Sequence, residues 1–245
     1  EIMYIDFTTI AMDQICNQAA KLRYMSGGQA RIPVVFRTQE GAGKCSAAQH
    51  AQSLETWFAH IPGLKVVLPS TPYDVKGLLK TAIRDDAPVV FIEHKMLYNN
   101  KGEVPEDEYL IPFGQANICR TGSDVTIVAL SRMVLKALEA ADELAKEGIS
   151  AEVIDPRTIE PLDLDTIINS VKKTGHLIVT HEGYTRCGFG AEIAAQIMEN
   201  AMDYLEKPVK RVCGLNVPIP FAPEMEDFVI PNTTKLIHSV KEILA

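Results

Sequence analysis

Apolar residues recur along this chain in two rhythms that take turns. Over residues 11–25, Met12, Ile15, Ala19, Leu22 and Met25 fall three or four apart, the spacing of one helix face, and Gly27-Gly28 ends the run. Ile32 to Phe36 then predicts a short buried strand. Ser53 to His60 predicts a helix stopped by Pro62-Gly63, and Leu64 to Leu68 a second strand. Ser70-Thr71-Pro72 opens an amphipathic helix over Tyr73 to Arg84, and Val89 to Ile92 is a third apolar strand. Strands alternating with helices predict a parallel sheet covered on both faces.

The rhythm lapses from Glu93 to Thr121, where Asn99-Asn100-Lys101-Gly102, Pro105 and Glu106-Asp107-Glu108 read as an exposed connection. It restarts with strands over Val125–Leu130, Ser150–Ile154, His176–Thr180 and Val209–Cys213. Between and after them, helices are predicted over Arg132–Glu147, Leu164–Lys173, Gly190–Tyr204 and Thr233–Leu244. The pattern predicts an α/β protein of two parallel-sheet-type domains, residues 1–115 and 116–245, with no sequence repeat between them. The opening Glu1-Ile2-Met3-Tyr4-Ile5 is strand-like and lacks an initiator methionine, so a fragment is expected.

Composition narrows the function. With 47% apolar and 23% charged residues, the 245-residue chain can bury a full core. A net charge of −8 argues against nucleic acid or an anionic membrane surface as partner, since both reward a basic face. No apolar run approaches the roughly 18–20 residues that cross a bilayer. Five cysteines without a C-x-x-C pair read as reduced thiols in a cytoplasmic protein.

Several motifs fail on spacing. Gly41-Ala-Gly43-Lys44-Cys45-Ser46 would be a P-loop only with glycine at Thr38 and serine or threonine at Cys45. Gly188-Phe-Gly190 lacks the third small residue of a dinucleotide fingerprint, because Ile193 stands there; close helix packing is the simpler reading. The six histidines are too isolated for a zinc site, and no G-x-S-x-G elbow is present. Cys45 lies five residues from His50, which leaves a thiol–imidazole pair open. There remains Gln49-His50, after a small-residue loop, where crevice residues gather outside the carboxyl ends of parallel strands. An imidazole there can move protons or hydrogen-bond an oxyanion near neutral pH. A capping or half-buried histidine is the plain alternative.

Longer stretches carry a resemblance. Lys21-Leu-Arg-Tyr-Met-Ser-Gly-Gly28, Ala48-Gln-His-Ala-Gln-Ser53, His60-Ile-Pro-Gly-Leu-Lys-Val-Val67, Ala82-Ile-Arg-Asp85, Val153-Ile-Asp-Pro-Arg-Thr158 and Phe189-Gly-Ala-Glu-Ile193 occur in order across the chain. Together they resemble the beta subunit of thiamine-diphosphate-dependent 2-oxoacid and acetoin dehydrogenases. Within that family, Arg37-Thr38, Gly41-Ala-Gly43, Glu93-His-Lys95 and Arg186-Cys187 look most like acetoin dehydrogenase, with pyruvate dehydrogenase close and the branched-chain enzyme more distant.

The resemblance implies a pyrimidine-binding domain, here without its beginning, followed by a transketolase C-terminal domain. It implies an α2β2 assembly with beta–beta contacts, thiamine diphosphate shared between subunits, Mg²⁺ held by the alpha chain, and acyl transfer to a lipoyl-bearing acyltransferase. This chain has no G-D-G…N motif of its own. Met3 and Phe7 match positions that pack on the aminopyrimidine ring, His50 matches the histidine at the site mouth, and Gln49 is its possible orienting neighbour. Ala82, Ile83 and Asp85 match a loop that in some members binds K⁺ or Na⁺, although the asparagine common there is Ala87 here. The segment holding Glu182 and Phe189 to Glu192 is expected to build subunit contacts. The glutamate that protonates the pyrimidine ring lies before Glu1, so the fragment alone is expected to be inactive. The rivals are a truncated, non-catalytic assembly module and an unrelated α/β nucleotide-binding protein.

Overall fold

The computed structural model describes residues 1–245. Its first sheet holds β1 (Val35–Glu40), β3 (Val89–His94) and β2 (Lys65–Val67) in parallel, in that spatial order. Every residue of β3 is buried, and its first four, Val89 to Ile92, form the unbroken apolar run that a strand covered on both faces requires. The second sheet has the order β4 (Asn117–Arg120), β6 (Ala151–Asp155), β5 (Val125–Ala129), β8 (Leu177–Tyr184) and β9 (Lys210–Gly214). Its last four strands are parallel. The two sheets are mixed, because β4 runs antiparallel to β6, and β7 (Thr158–Glu160) runs antiparallel to β2 in the first sheet.

That last pairing links the two halves: β7 follows β6 of the second sheet directly, yet it completes the first. A boundary at 115/116 would therefore leave one later strand in the earlier sheet. The largest core also crosses it. Ile5, Ile15, Phe58, Val66 and Val90 share one cluster of 23 buried residues with Val128, Ile154, Val179, Phe189 and Ile193. Apolar burial at about 25 cal/mol per Å² thus holds the halves to one another as well as each to itself.

Three of the helices start where a side chain supplies a cap. Helices α1 (Thr8–Met12) and α2 (Ala20–Met25) are joined through a π-helical turn, Asp13–Ala19. A short α3 (Glu55–Ala59) precedes β2. In α4 (Pro72–Arg84) the Thr71 hydroxyl accepts the Asp74 N–H at 3.1 Å, and Pro72 sits where its missing N–H costs nothing. On the second sheet lie α5 (Met133–Ala145), α6 (Leu164–Thr174), capped by Asp163 and ended by left-handed Gly175, and α7 (Phe189–Ala201). Helix α8 (Pro223–Val229) and α9 (Thr233–Leu244), capped by Asn232, close the chain. No helix is long and apolar enough to cross a membrane.

Three expectations need correction. The opening residues form no strand: Ile2 makes a single bridge to Thr38, and Ile5–Phe7 is a 3₁₀ turn. The first strand is not Ile32–Phe36 but Val35–Glu40, since Pro33 has no N–H to pair, and the polar Arg37–Glu40 completes the strand instead of opening a loop. The sheets are not wholly parallel, because β4 and β7 were too short and polar to show a period.

Candidate active site

Strand β1 ends at Glu40, and the chain turns at Gly41, whose φ of +94° is open to glycine and strained for other residues. A Cβ there would fall 1.9 Å from His94 Nε2, so the loop packs directly on the end of β3. The loop then crosses to the second unit. Ala42 N–H donates to Glu182 Oε2 at 2.9 Å, and Cys45 N–H to Glu226 Oε2 at 3.0 Å. Ala42 and Ala51 bury against Ile219, Val229 and Ile230. On the return, the Gln52 side chain donates to Asp6 Oδ1 at 2.9 Å.

This path brings His50 to the chain's opening residues. Its half-buried ring meets Tyr4 edge to face at 5.0 Å and Phe7 at 5.2 Å, an arrangement aromatic rings favour. Met3 and Phe7 remain 67% and 38% exposed, and Gln49 is exposed. The structure therefore gathers His50, Phe7 and Tyr4 at one rim, with Met3 and Gln49 adjoining in sequence. Tyr4 was missed, since a lone tyrosine in an apolar opening carries no signal. The thiol–imidazole alternative gains nothing: burial and Glu226 raise the Cys45 pKa, away from a thiolate.

Beneath the rim lies a buried polar cluster at the seam. Glu182 takes His94 Nε2 at 3.0 Å and Arg132 at 3.1 Å. Met96 N–H donates to His94 Nδ1, which leaves Nε2 to donate to the carboxylate. Burial opposes ionisation of Glu182, but His94, Arg132 and the Ala42 N–H outweigh it and hold the carboxyl at about 2. Beside it, Gly190 N–H donates to His181 Nε2 at 3.1 Å, so the ring proton lies on Nδ1, 3.2 Å from Glu55. A Cβ at Gly188 or Gly190 would come within 2.5 or 3.1 Å of this ring, so the two glycines serve close packing. Glu40 is buried with Oε2 unpartnered, and burial together with Glu55 and Glu182 pushes its pKa well up. Glu182 thus faces inward, as does Phe189, contrary to their expected place in subunit contacts; only Glu192 of that set is exposed.

The Ala82-Ile83-Asp85 turn lies elsewhere, at the end of α4. Ala82 is buried and Ile83 exposed. The Asp85 carboxylate pairs with the Lys65 ammonium, and its Oδ1 accepts Ala87 N–H at 2.8 Å.

A two-unit α/β chain with a candidate site at the edge of its first sheet is the architecture of transketolase-type proteins, and comparison with known families agrees. Residues 1–101 match the transketolase pyrimidine-binding domain, and residues 114–236 the transketolase C-terminal domain. The chain is 53% identical over 244 residues to the acetoin:2,6-dichlorophenolindophenol oxidoreductase subunit beta of Cupriavidus necator, covering all of this chain and 72% of that protein. The Bacillus subtilis subunit of the same name is 49% identical, over 100% of this chain and 71% of its own length. The pyruvate dehydrogenase E1 component subunit beta of Rhizobium meliloti is 48% identical, over 99% and 53% respectively. A split-gene transketolase described as an inactive beta4 tetramer superposes with a TM-score of 0.81 at 23% identity, over 99% of this chain and 74% of that one, and so shares the fold. The chain belongs to the transketolase-like family of acetoin and pyruvate dehydrogenase beta subunits.

Proposed function

We propose that this chain is the beta-subunit part of a thiamine-diphosphate-dependent dehydrogenase that cleaves acetoin or a 2-oxoacid, with His50 as its acid–base group. The observation that carries the reading is the rim itself: an imidazole clasped by aromatic edges beside apolar side chains that are open to solvent. Met3 and Phe7 suit a flat aminopyrimidine ring, which would cover them and gain from their removal from water. The chemistry such a cofactor would supply is an electron sink for breaking the bond beside a carbonyl. This chain's part is to seat the ring on Met3 and Phe7 and to move a proton at a His50 ring nitrogen, with Gln49 beside it. Acetoin is the favoured substrate, because the Cupriavidus necator subunit named for it is 53% identical to this chain, against 48% for the Rhizobium meliloti pyruvate dehydrogenase subunit; pyruvate is the close alternative.

The rest of the assembly is proposed on the same footing. An alpha chain in an α2β2 tetramer holds Mg²⁺ and the diphosphate, and no group of three or more His, Cys, Asp or Glu side chains in this chain is placed to hold a metal. Beta–beta contacts and transfer to a lipoyl-bearing acyltransferase complete the reading, in a cytoplasmic setting that suits five free thiols. A K⁺ or Na⁺ at the Ala82 and Ile83 carbonyls would have to displace the Lys65 ammonium from Asp85.

The test is turnover of the full-length beta chain assembled with its alpha partner, on acetoin and on pyruvate. His50→Ala should lower it by about 10²-fold or more, the range of acid–base help, while thiamine diphosphate still binds. Wild-type turnover in His50→Ala would remove the role.

A further inference from the structure

Lys95 is the most deeply buried lysine of the site region, 2% exposed, on the 3₁₀ turn Lys95–Leu97 that follows β3. Its ammonium donates to the His50 carbonyl. The same ammonium lies 5.2 Å from the centre of the Tyr4 ring, within cation–π range, and that ring is the one the His50 imidazole meets edge to face. One charge therefore touches both the backbone of His50 and the surface its side chain rests on.

A buried ammonium loses its hydration and is unfavourable unless charges and hydrogen bonds offset that loss. The offset here comes from Asp6, Glu182 and Glu226, although burial still pulls the Lys95 pKa below its ordinary value. Those three carboxylates are the ones that hold the loop, through Gln52, Ala42 and Cys45. The loop needs holding: Cys45 and Ala47 adopt φ of 52° and 59°, a left-handed conformation that is strained for residues other than glycine.

We propose that Lys95 is a positioning residue for His50, an internal strut that sets the height and tilt of the imidazole by binding its carbonyl and the Tyr4 ring together. It does not touch substrate. The proposal rests on the reading of His50 as the acid–base group, and the test separates the two.

The measurement is a double-mutant cycle on the assembled enzyme, full-length beta chain with its alpha partner, using His50→Ala, Lys95→Met and both together. Lys95→Met should lower kcat by about 10-fold or more, the size of effect a small misplacement produces, with KM and thiamine diphosphate affinity unchanged. Lys95→Arg, which keeps charge and donors, should recover part of the loss. In the His50→Ala background Lys95→Met should add nothing, since a strut for an absent ring has no work left. Equal losses with and without His50, wild-type kcat in Lys95→Met, or a loss explained by weakened cofactor binding would each overturn the proposal. If His50→Ala itself runs at the wild-type rate, the functional reading has failed and the strut falls with it. Should Lys95→Met not assemble, Tyr4→Leu removes the shared ring and must show the same non-additivity with His50→Ala.

Discussion

Glu182 lets the seam be tested by stability alone. Its Oε2 accepts from Ala42 N–H and from His94, and its Oε1 from Arg132, so one carboxylate serves three donors from three segments. Glu182→Gln keeps the shape but offers one oxygen; the amide NH₂ must then face a donor, either the guanidinium or the pair at Oε2. The carboxyl lies at about 2, below its ordinary 4.5. At about 1.4 kcal/mol per pH unit, that depression corresponds to roughly 3 kcal/mol of stability at pH 7. The sign follows from the depressed value: the contribution is complete above the unfolded pKa and is lost as pH falls through the folded one. Glu182→Gln should therefore unfold about 6–12 °C below wild type at pH 7, taking 2–4 °C per kcal/mol. By pH 3 the gap should shrink to about 1 kcal/mol, because the unfolded wild type is then protonated and the folded one is only starting to be. Urea or thermal unfolding of wild type and variant across pH 3–7 reads both quantities. A gap below about 1 kcal/mol at pH 7, or one that does not change with pH, would refute the argument that this carboxylate holds the seam.

Two further outcomes follow from the same geometry. Asp155, where the chain leaves β6 for β7, is pushed up to about 7 by burial and by Asp74, against the Ser70 hydroxyl and Arg157 N–H that it accepts. A raised carboxyl is favourable when neutral and loses stability as pH climbs from about 4 to 7. Asp155→Asn should therefore melt above wild type at pH 8 and converge with it near pH 4, as calorimetry would show; a constant difference would count against this. Gly41→Ala forces a methyl to within 1.9 Å of the His94 ring at a φ of +94°, so it should displace the loop, lower the melting temperature and cut turnover together. Wild-type values for both would show that the loop tolerates another path.

The regular elements were largely legible in the chain, because burial of one face leaves a period in the sequence. Helices α4, α5, α6 and α9 and strands β2, β3, β5 and β6 lie within a residue or two of the positions read from apolar spacing. His50 stood out as the polar residue after a small-residue loop, and the fold sets its ring against Tyr4 and Phe7. What the spacing could not show were elements stabilised by what they meet: β7 is three residues long and exists because β2 offers an edge. Thr38 and Glu40 look like loop residues, yet β1 buries both. The surroundings of the candidate site were hidden for the same reason. Tyr4, Lys95, Glu182 and Glu226 stand far apart along the chain, and a lysine or glutamate in a sequence reads as solvated surface. Only the fold brings them beneath one loop, where each charge is stable because the others are there. Local sequence thus determined which segments are helix or strand and which histidine to watch, since those depend on neighbours a few residues away. Tertiary structure decided where the two units join and what holds that histidine in place, since both depend on charges that can be buried only in each other's company.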